Sequence, residues 1–580
     1  MEDDDCRVDA RPLTQSVGAG AAPALAELLR RVQEVRLPLE TPDALDARAL
    51  QRSLSDQLED YLLPRVENPD APLLVVIGGS TGAGKSTLVN SILRKSVTES
   101  GVLRPTTRSP VLVHHPDDEQ HFQSDRVLPG FARVTREETR LDKPQLRLVA
   151  DDSIPPGLAL LDSPDIDSVM ESNRRIARQL LAAADLWLFV TTAARYADAV
   201  PWALLTEAQA RGTTVALVLD RVPGEANREV RRHLTELLSG AGLGSSPVFT
   251  VPEVTLQDGL LPEAAVFTLT SWILNLGRSE KARSRVVEKT LVGALASVPP
   301  RVEELAAQVA DQEDQHARLS AAVDEAFDAG VKELDASLAD GRVLRGEVLA
   351  RWQDFVGAGQ FFRGLEPTVA RLRDRFTAAV TGRRDTAEPL EVAIEQSVAF
   401  LIREQAVQAV AQSRMRWEDT PAGSALIAGQ DGAAAFRVPA DFDSRVGRMV
   451  AEWSAGVNEL VRDVGQSKRA KARILSFGVN GVGAVLMLAA FAGTGGLTGA
   501  EVGIAGTTAV VAGKLLDTIF GDQVTRDLAA EVRTRLLDSA QSLVLSCRTP
   551  FDAALTAAEV PPRQAGTLRS SGHRLEEALG

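Results

Sequence analysis

Cysteine is almost absent: the 580 residues hold two, Cys6 and Cys547, and neither sits in a CxxC or Cys/His cluster. That excludes a disulfide framework and a structural zinc site, and it fits a reducing compartment. Aromatic residues are scarce at 4%, and acidic residues outnumber basic ones to give a formal charge of −15. A nucleic-acid protein would usually carry a strongly basic stripe, and here there is one short basic cluster, so no nucleic-acid partner is expected. The N-terminus, Met1-Glu2-Asp3-Asp4-Asp5, has no apolar run. No secretory signal is read there, and a cytoplasmic location is expected. Length is what the chain has in plenty, enough for two to four hydrophobic cores.

The texture changes along the chain. Within residues 1–70, Leu25, Leu28, Leu29, Val32 and Val35 mark one helical face and Leu50, Leu54, Leu58 and Leu62 a second. Over 71–275, short apolar runs at Leu73–Ile77, Val111–His114, Leu158–Leu161, Leu186–Thr191, Thr214–Leu219 and Val248–Val251 alternate with helical patterns. This predicts an α/β domain, a mostly parallel sheet with helices on both faces. Residues 276–473 read as a long helical bundle or stalk. Residues 521–580 read as a returning helix followed, beyond Pro561, by a loose tail.

Gly79-Ser80-Thr81-Gly82-Ala83-Gly84-Lys85-Ser86 matches G-x-x-x-x-G-K-[ST] in full, between an expected strand and an expected helix over Ser86–Arg94. Glycines let the backbone wrap so that its N–H groups meet phosphates, and the helix start adds positive potential. Lys85 is expected to bridge the β- and γ-phosphates, Ser86 to ligate magnesium, and the whole stretch through Thr87 to bind nucleotide. Asp162, ending the apolar strand Leu158–Leu161, stands where a second magnesium-associated carboxylate belongs. A threonine in Arg104-Pro105-Thr106-Thr107-Arg108-Ser109-Pro110 could close over the γ-phosphate and complete the metal shell.

These segments, LLVVIGGSTGAGKSTLVNSI, GVLRPTTRSPVLV, LALLDSPDIDS and VALVLDRVP, resemble the dynamin-like large GTPases of bacteria, particularly an actinobacterial group. The resemblance covers about 71–275, and the order of the remaining parts is similar. It implies GTP and GDP as ligands, magnesium as cofactor, flanking helices that join the stalk in one bundle, and a homo-oligomer or a paralogous partner. It also makes Thr107 the switch threonine. The chain departs from the family in three places. Asp165 replaces the glycine of DxxG, Pro223 replaces the carboxylate of the guanine-reading motif, and Thr81 and Gly82 stand where dynamins often have glutamine and serine. Base contact then falls to Asp220 and Arg221, and hydrolysis is expected to be slow or partner-dependent.

Ile474–Ala500 carries no charge, which exceeds the ~20 residues needed to span a bilayer. Residues 474–520 are therefore read as an apolar, membrane-facing hairpin, with Leu475, Phe477, Leu486, Met487, Leu488 and Phe491 toward lipid. Lys468, Arg469, Lys471 and Arg473 would meet the anionic inner face of the cell membrane. The alternative is a buried hairpin packed through its glycines. Three functions compete: a GTPase that assembles on and remodels membrane, a nucleotide-gated membrane scaffold with little hydrolysis, and a P-loop ATPase without guanine specificity.

Overall fold

The computed structural model describes residues 20–98, 109–124, 127–128, 130–135, 144–167, 171–225, 227–339, 388–429, 432–464 and 522–579. The chain divides into two compact units, Met1–Leu37 with Asp43–Asp311 and Pro561–Gly580, and Pro38–Pro42 with Gln312–Val560.

The first unit is built on eight strands: β1 (Leu73–Gly79), β2 (Val111–His114), β3 (Ala132–Val134), β4 (Gln145–Ala150), β5 (Leu158–Asp162), β6 (Leu186–Thr192), β7 (Thr214–Val222) and β8 (Val248–Pro252). They lie in the order β3-β4-β2-β5-β1-β6-β7-β8. Every pairing is parallel except β2 with β5. The central strands are apolar at successive positions because both faces are covered. Along β1, Leu74 and Val76 enter one core and Leu73, Val75 and Ile77 the other. Helices Glu171–Ala182, Ala199–Ala210 and Asn227–Gly240 cover the first face, and Lys85–Leu93 and Glu263–Arg278 the second. The six strands expected from apolar runs all form. The structure adds β3, at the edge of the sheet, and β4, between β3 and β2, whose residues are mostly half-buried.

A helical layer completes this unit. Helices Ala21–Glu34 and Ala44–Gln57 run into a π-helical turn at Leu58–Leu62 and a short helix at Leu63–Glu67. Leu25, Leu28, Val32, Leu54 and Leu58 share a core with Leu291, Leu295, Val298 and Leu305 of helix Glu280–Ala339 and with Leu568 and Leu575. The last two belong to helix Gln564–Leu579. The loose tail expected beyond Pro561 is instead this helix, whose apolar period is blurred by Ala565, Ser571 and Gly572 on its buried side. Gly212 and Gly293 bring two backbones together, since a Cβ on Gly212 would lie 2.3 Å from the Gly293 carbonyl carbon.

In the second unit, helices Glu388–Glu418, Pro421–Ala428, Phe442–Val464, Asp522–Ser546 and Thr549–Ala557 pack with the later part of Glu280–Ala339. Trp417 is its anchor. The ring lies 5.1 Å from Phe551 and 5.8 Å from Phe436, and its indole N–H donates to the Leu319 carbonyl at 3.0 Å. The buried Gln312 amide exchanges two bonds with the backbone of Leu39, at 2.9 and 2.8 Å, as a neighbouring strand would.

Lys468, Arg469, Lys471, Arg473 and the whole 474–520 segment lie outside the described residues, as does Thr107. Among the described residues, no helix is long and apolar enough to cross a membrane.

Candidate active site

The loop after β1 lies at the C-terminal end of the parallel strands, where open α/β sheets place their ligands. Gly79 has no room for a side chain, since a Cβ would lie 2.0 Å from the Val190 carbonyl oxygen on β6. Gly82 and Gly84 take left-handed conformations, φ 73° and 89°. Side chains at those positions would be strained. The loop turns into helix Lys85–Leu93, with the Leu88 amide bonded to the Gly84 carbonyl at 2.8 Å.

Within this turn Ser80, Ala83 and Lys85 are buried. The Lys85 ammonium donates to the carbonyls of Gly79 (2.9 Å) and Ser80 (3.2 Å) and to the Asp165 carboxylate (2.5 Å). The Ser86 hydroxyl donates to Asp162 Oδ2 at 2.6 Å. Thr87, next on the helix, accepts the Ser91 hydroxyl on its carbonyl. Asp162 is fully buried, and its Oδ1 has no hydrogen-bond partner. Burial pushes its carboxyl up to about 6, against the opposing pull of Ser86 and Lys85. An orphaned buried carboxylate oxygen beside a hydroxyl is the donor set that a partly hydrated magnesium ion needs from a protein when phosphates supply the remainder. Among the described residues, no group of three or more His, Cys, Asp or Glu side chains gathers as a metal site.

β7 brings the two expected base-contact residues to the same place. Asp220 pairs in register with Thr192, and its Oδ2 lies 2.7 Å from where a Cβ on Gly84 would stand. Its carboxyl is raised by burial. Arg221 takes a left-handed φ of 52°, and its guanidinium donates to the Gly82 carbonyl. Gly79 through Thr87, Asp162, Asp220 and Arg221 thus converge on one end of the sheet.

Three participants escaped the sequence reading. Asp167 Oδ1 accepts from the Thr81 amide (2.6 Å) and hydroxyl (2.7 Å). Arg195, to which no role was given, donates to Asp167 Oδ2 (3.0 Å) and to the Thr81 carbonyl (3.2 Å). Burial raises the Asp167 carboxyl, but the bonds from Thr81 and Arg195 outweigh it and hold the group below its ordinary value. Thr98 is buried against helix Lys85–Leu93, its hydroxyl 3.3 Å from the Ser86 carbonyl. The spacing Asp162-x-x-Asp165-x-Asp167 was a readable signal for the first of these.

Residues 74–221 match the model of the dynamin family. A probable transmembrane GTPase, FZO-like and chloroplastic, from Arabidopsis thaliana is 28% identical over 134 residues, 23% of this chain and 13% of that protein's own length. Among solved structures, an oligomerised bacterial dynamin pair, described as sensing and tethering membranes at long range, is 10% identical over 96% of this chain and 95% of its own, with a TM-score of 0.37. The bacterial dynamin GTPase LeoA from ETEC is 10% identical over 97% and 98%, with a TM-score of 0.24. Residues 74–221 thus carry a dynamin-family domain, with the phosphate-binding loop at its start.

Proposed function

We propose that the chain binds GTP with magnesium at Gly79–Thr87, hydrolyses it to GDP and phosphate, and couples turnover to self-association and reshaping of a membrane from its cytoplasmic face. The observation that carries the nucleotide part is the Ser86–Asp162 pair at 2.6 Å beside the buried Lys85, at the mouth of a glycine loop. In this reading the loop amides and Lys85 hold the β- and γ-phosphates. Ser86, Thr107 and Asp162 would hold magnesium, and Asp220 and Arg221 would face the base. Magnesium bound there would neutralise phosphate charge. Water attacks the γ-phosphorus, the bond to the β-γ bridging oxygen breaks, and the water proton leaves with phosphate. Such chemistry asks the protein for position and charge more than for a strong base.

The membrane part is supported by the charge-free run Ile474–Ala500 and the basic cluster before it, each basic residue near anionic lipid being worth about 1 kcal/mol. A second reading, a nucleotide-gated scaffold that hydrolyses poorly, is favoured by Asp165 standing in place of the motif's glycine.

Calorimetric titration of GTP, GDP and ATP into the protein with magnesium, beside Lys85→Ala, tests the proposal. Guanine-only binding lost in the variant is expected. Equal binding of ATP and GTP removes the guanine assignment, and no binding of any nucleotide removes the whole reading.

A further inference from the structure

Lys85 has three N–H donors and all three are used inside the protein, the shortest bond going to Asp165. This ion pair is sheltered, with Lys85 5% and Asp165 22% exposed. Two residues on, Asp167 takes the amide and hydroxyl of Thr81, so it also occupies a backbone donor of the loop that would otherwise meet phosphate. Its second oxygen takes Arg195, a second cation at the loop. Both carboxylates come from one short segment after β5. That segment is laid along the end of β1 by bonds from the Ser163 amide and hydroxyl to the Ile77 carbonyl, at 3.2 and 2.9 Å. A further bond from the Ile166 amide reaches the Gly79 carbonyl at 3.4 Å.

The chemistry of each contact is that of an anion in an anion site. A carboxylate oxygen accepts from ammonium, guanidinium and backbone amide as a phosphate oxygen does. From this juxtaposition we infer that Ser163–Asp167 is a self-supplied anion seated in the phosphate-binding loop, and that Asp165 and Asp167 set nucleotide affinity by competing with the phosphates. The inference rests on the nucleotide reading above and adds the residues that oppose it. Nucleotide entry then has two linked consequences. Lys85 and the Thr81 amide exchange carboxylates for phosphate oxygens, and the evicted segment leaves its seat. Because Asp162 stands immediately before it, the displaced stretch starts at the Ser86 pair. Apparent affinity is lowered by the fraction of molecules in which the segment still occupies the loop. A glycine at 165 offers no such competitor.

The test is calorimetric titration of GTP with magnesium into the full chain and into Asp165→Asn, Asp165→Gly, Asp167→Asn and Asp198→Asn. Asp198 pairs with the same Arg195 at 2.9 Å but touches no loop amide, so it controls for the mere loss of a negative charge nearby. Tightening of tenfold or more is expected for both Asp165 variants, a smaller tightening for Asp167→Asn, and none for Asp198→Asn. Binding by the Asp165 variants alone, with none by the parent chain, would be the extreme form of the same result. Equal affinity across parent and variants, weaker binding by the Asp165 variants, or equal tightening by Asp198→Asn overturns the competition while leaving the nucleotide site standing. Binding by no protein in the set overturns the nucleotide reading and this inference with it.

Discussion

At the scale of single residues, the protein keeps several carboxylates where water does not reach. Asp60, in the π-helical turn, is one of them. Burial raises its carboxyl to about 7, a hydrogen bond from Gln179 opposes this, and the charges of Asp56 and Glu59 add to it. The folded protein therefore holds a proton on Asp60 between about pH 4 and pH 7, where the unfolded chain has lost it. Stability from this group is full below its ordinary value of 3.8, declines as pH rises through that window, and is flat above it. The ceiling on the loss is about 4 kcal/mol. Asp60→Asn, which keeps the shape without the proton, is expected to flatten the slope. Urea unfolding of parent and variant at pH 5 and pH 8 measures it, and parallel slopes would refute the assignment. The glycine loop was legible at this scale because its constraint is local in sequence. Arg195 was not, since its bond to Thr81 spans 114 positions and no spacing rule links them.

At the scale of elements, the base of the sheet is tied to the short helix Leu63–Glu67 by one buried ion pair. Arg65 donates to Asp185 just before β6, and also to the carbonyls of Ala71 (2.9 Å) and Pro72 (3.2 Å). The same Asp185 oxygen accepts the Leu74 amide of β1 at 2.8 Å. Removing one partner of such a pair strands the other charge, at a cost of about 3–5 kcal/mol. Arg65→Met is expected to lower the calorimetric transition of the first unit accordingly. A change no larger than that of an exposed arginine would show that the pair contributes nothing. The central strands were legible because burial on both faces makes their runs continuous. β3 and β4 escape the apolar-run pattern because a half-buried strand such as Gln145–Ala150 interleaves Arg147 with Leu146 and Leu148. Helix Gln564–Leu579 was missed for a similar reason, as it is packed through small residues.

At the scale of the whole molecule, the first unit is discontinuous in the chain. Its helical core takes Leu25 and Leu28 from one segment, Leu295 and Leu305 from a second, and Leu568 and Leu575 from a third. Arg569 holds Glu303 at 2.9 Å across two of them. Deleting residues 561–580 is expected to uncover the apolar faces of Ala21–Glu34 and of the early part of Glu280–Ala339. The readout is increased binding of a hydrophobic dye and a lowered melting temperature, and an unchanged melting curve would contradict it.

The same discontinuity sets an order of events at the ribosome. Helix Ala21–Glu34 is made about 530 residues before the helix that covers it. At 5–20 residues per second, that interval is about half a minute to two minutes. For that time a leucine-lined surface stands without its final neighbour while the intervening chain is made. Completion of this core is therefore timed by the arrival of Gln564–Leu579, and until then the nascent chain presents apolar surface of the kind that holding chaperones bind.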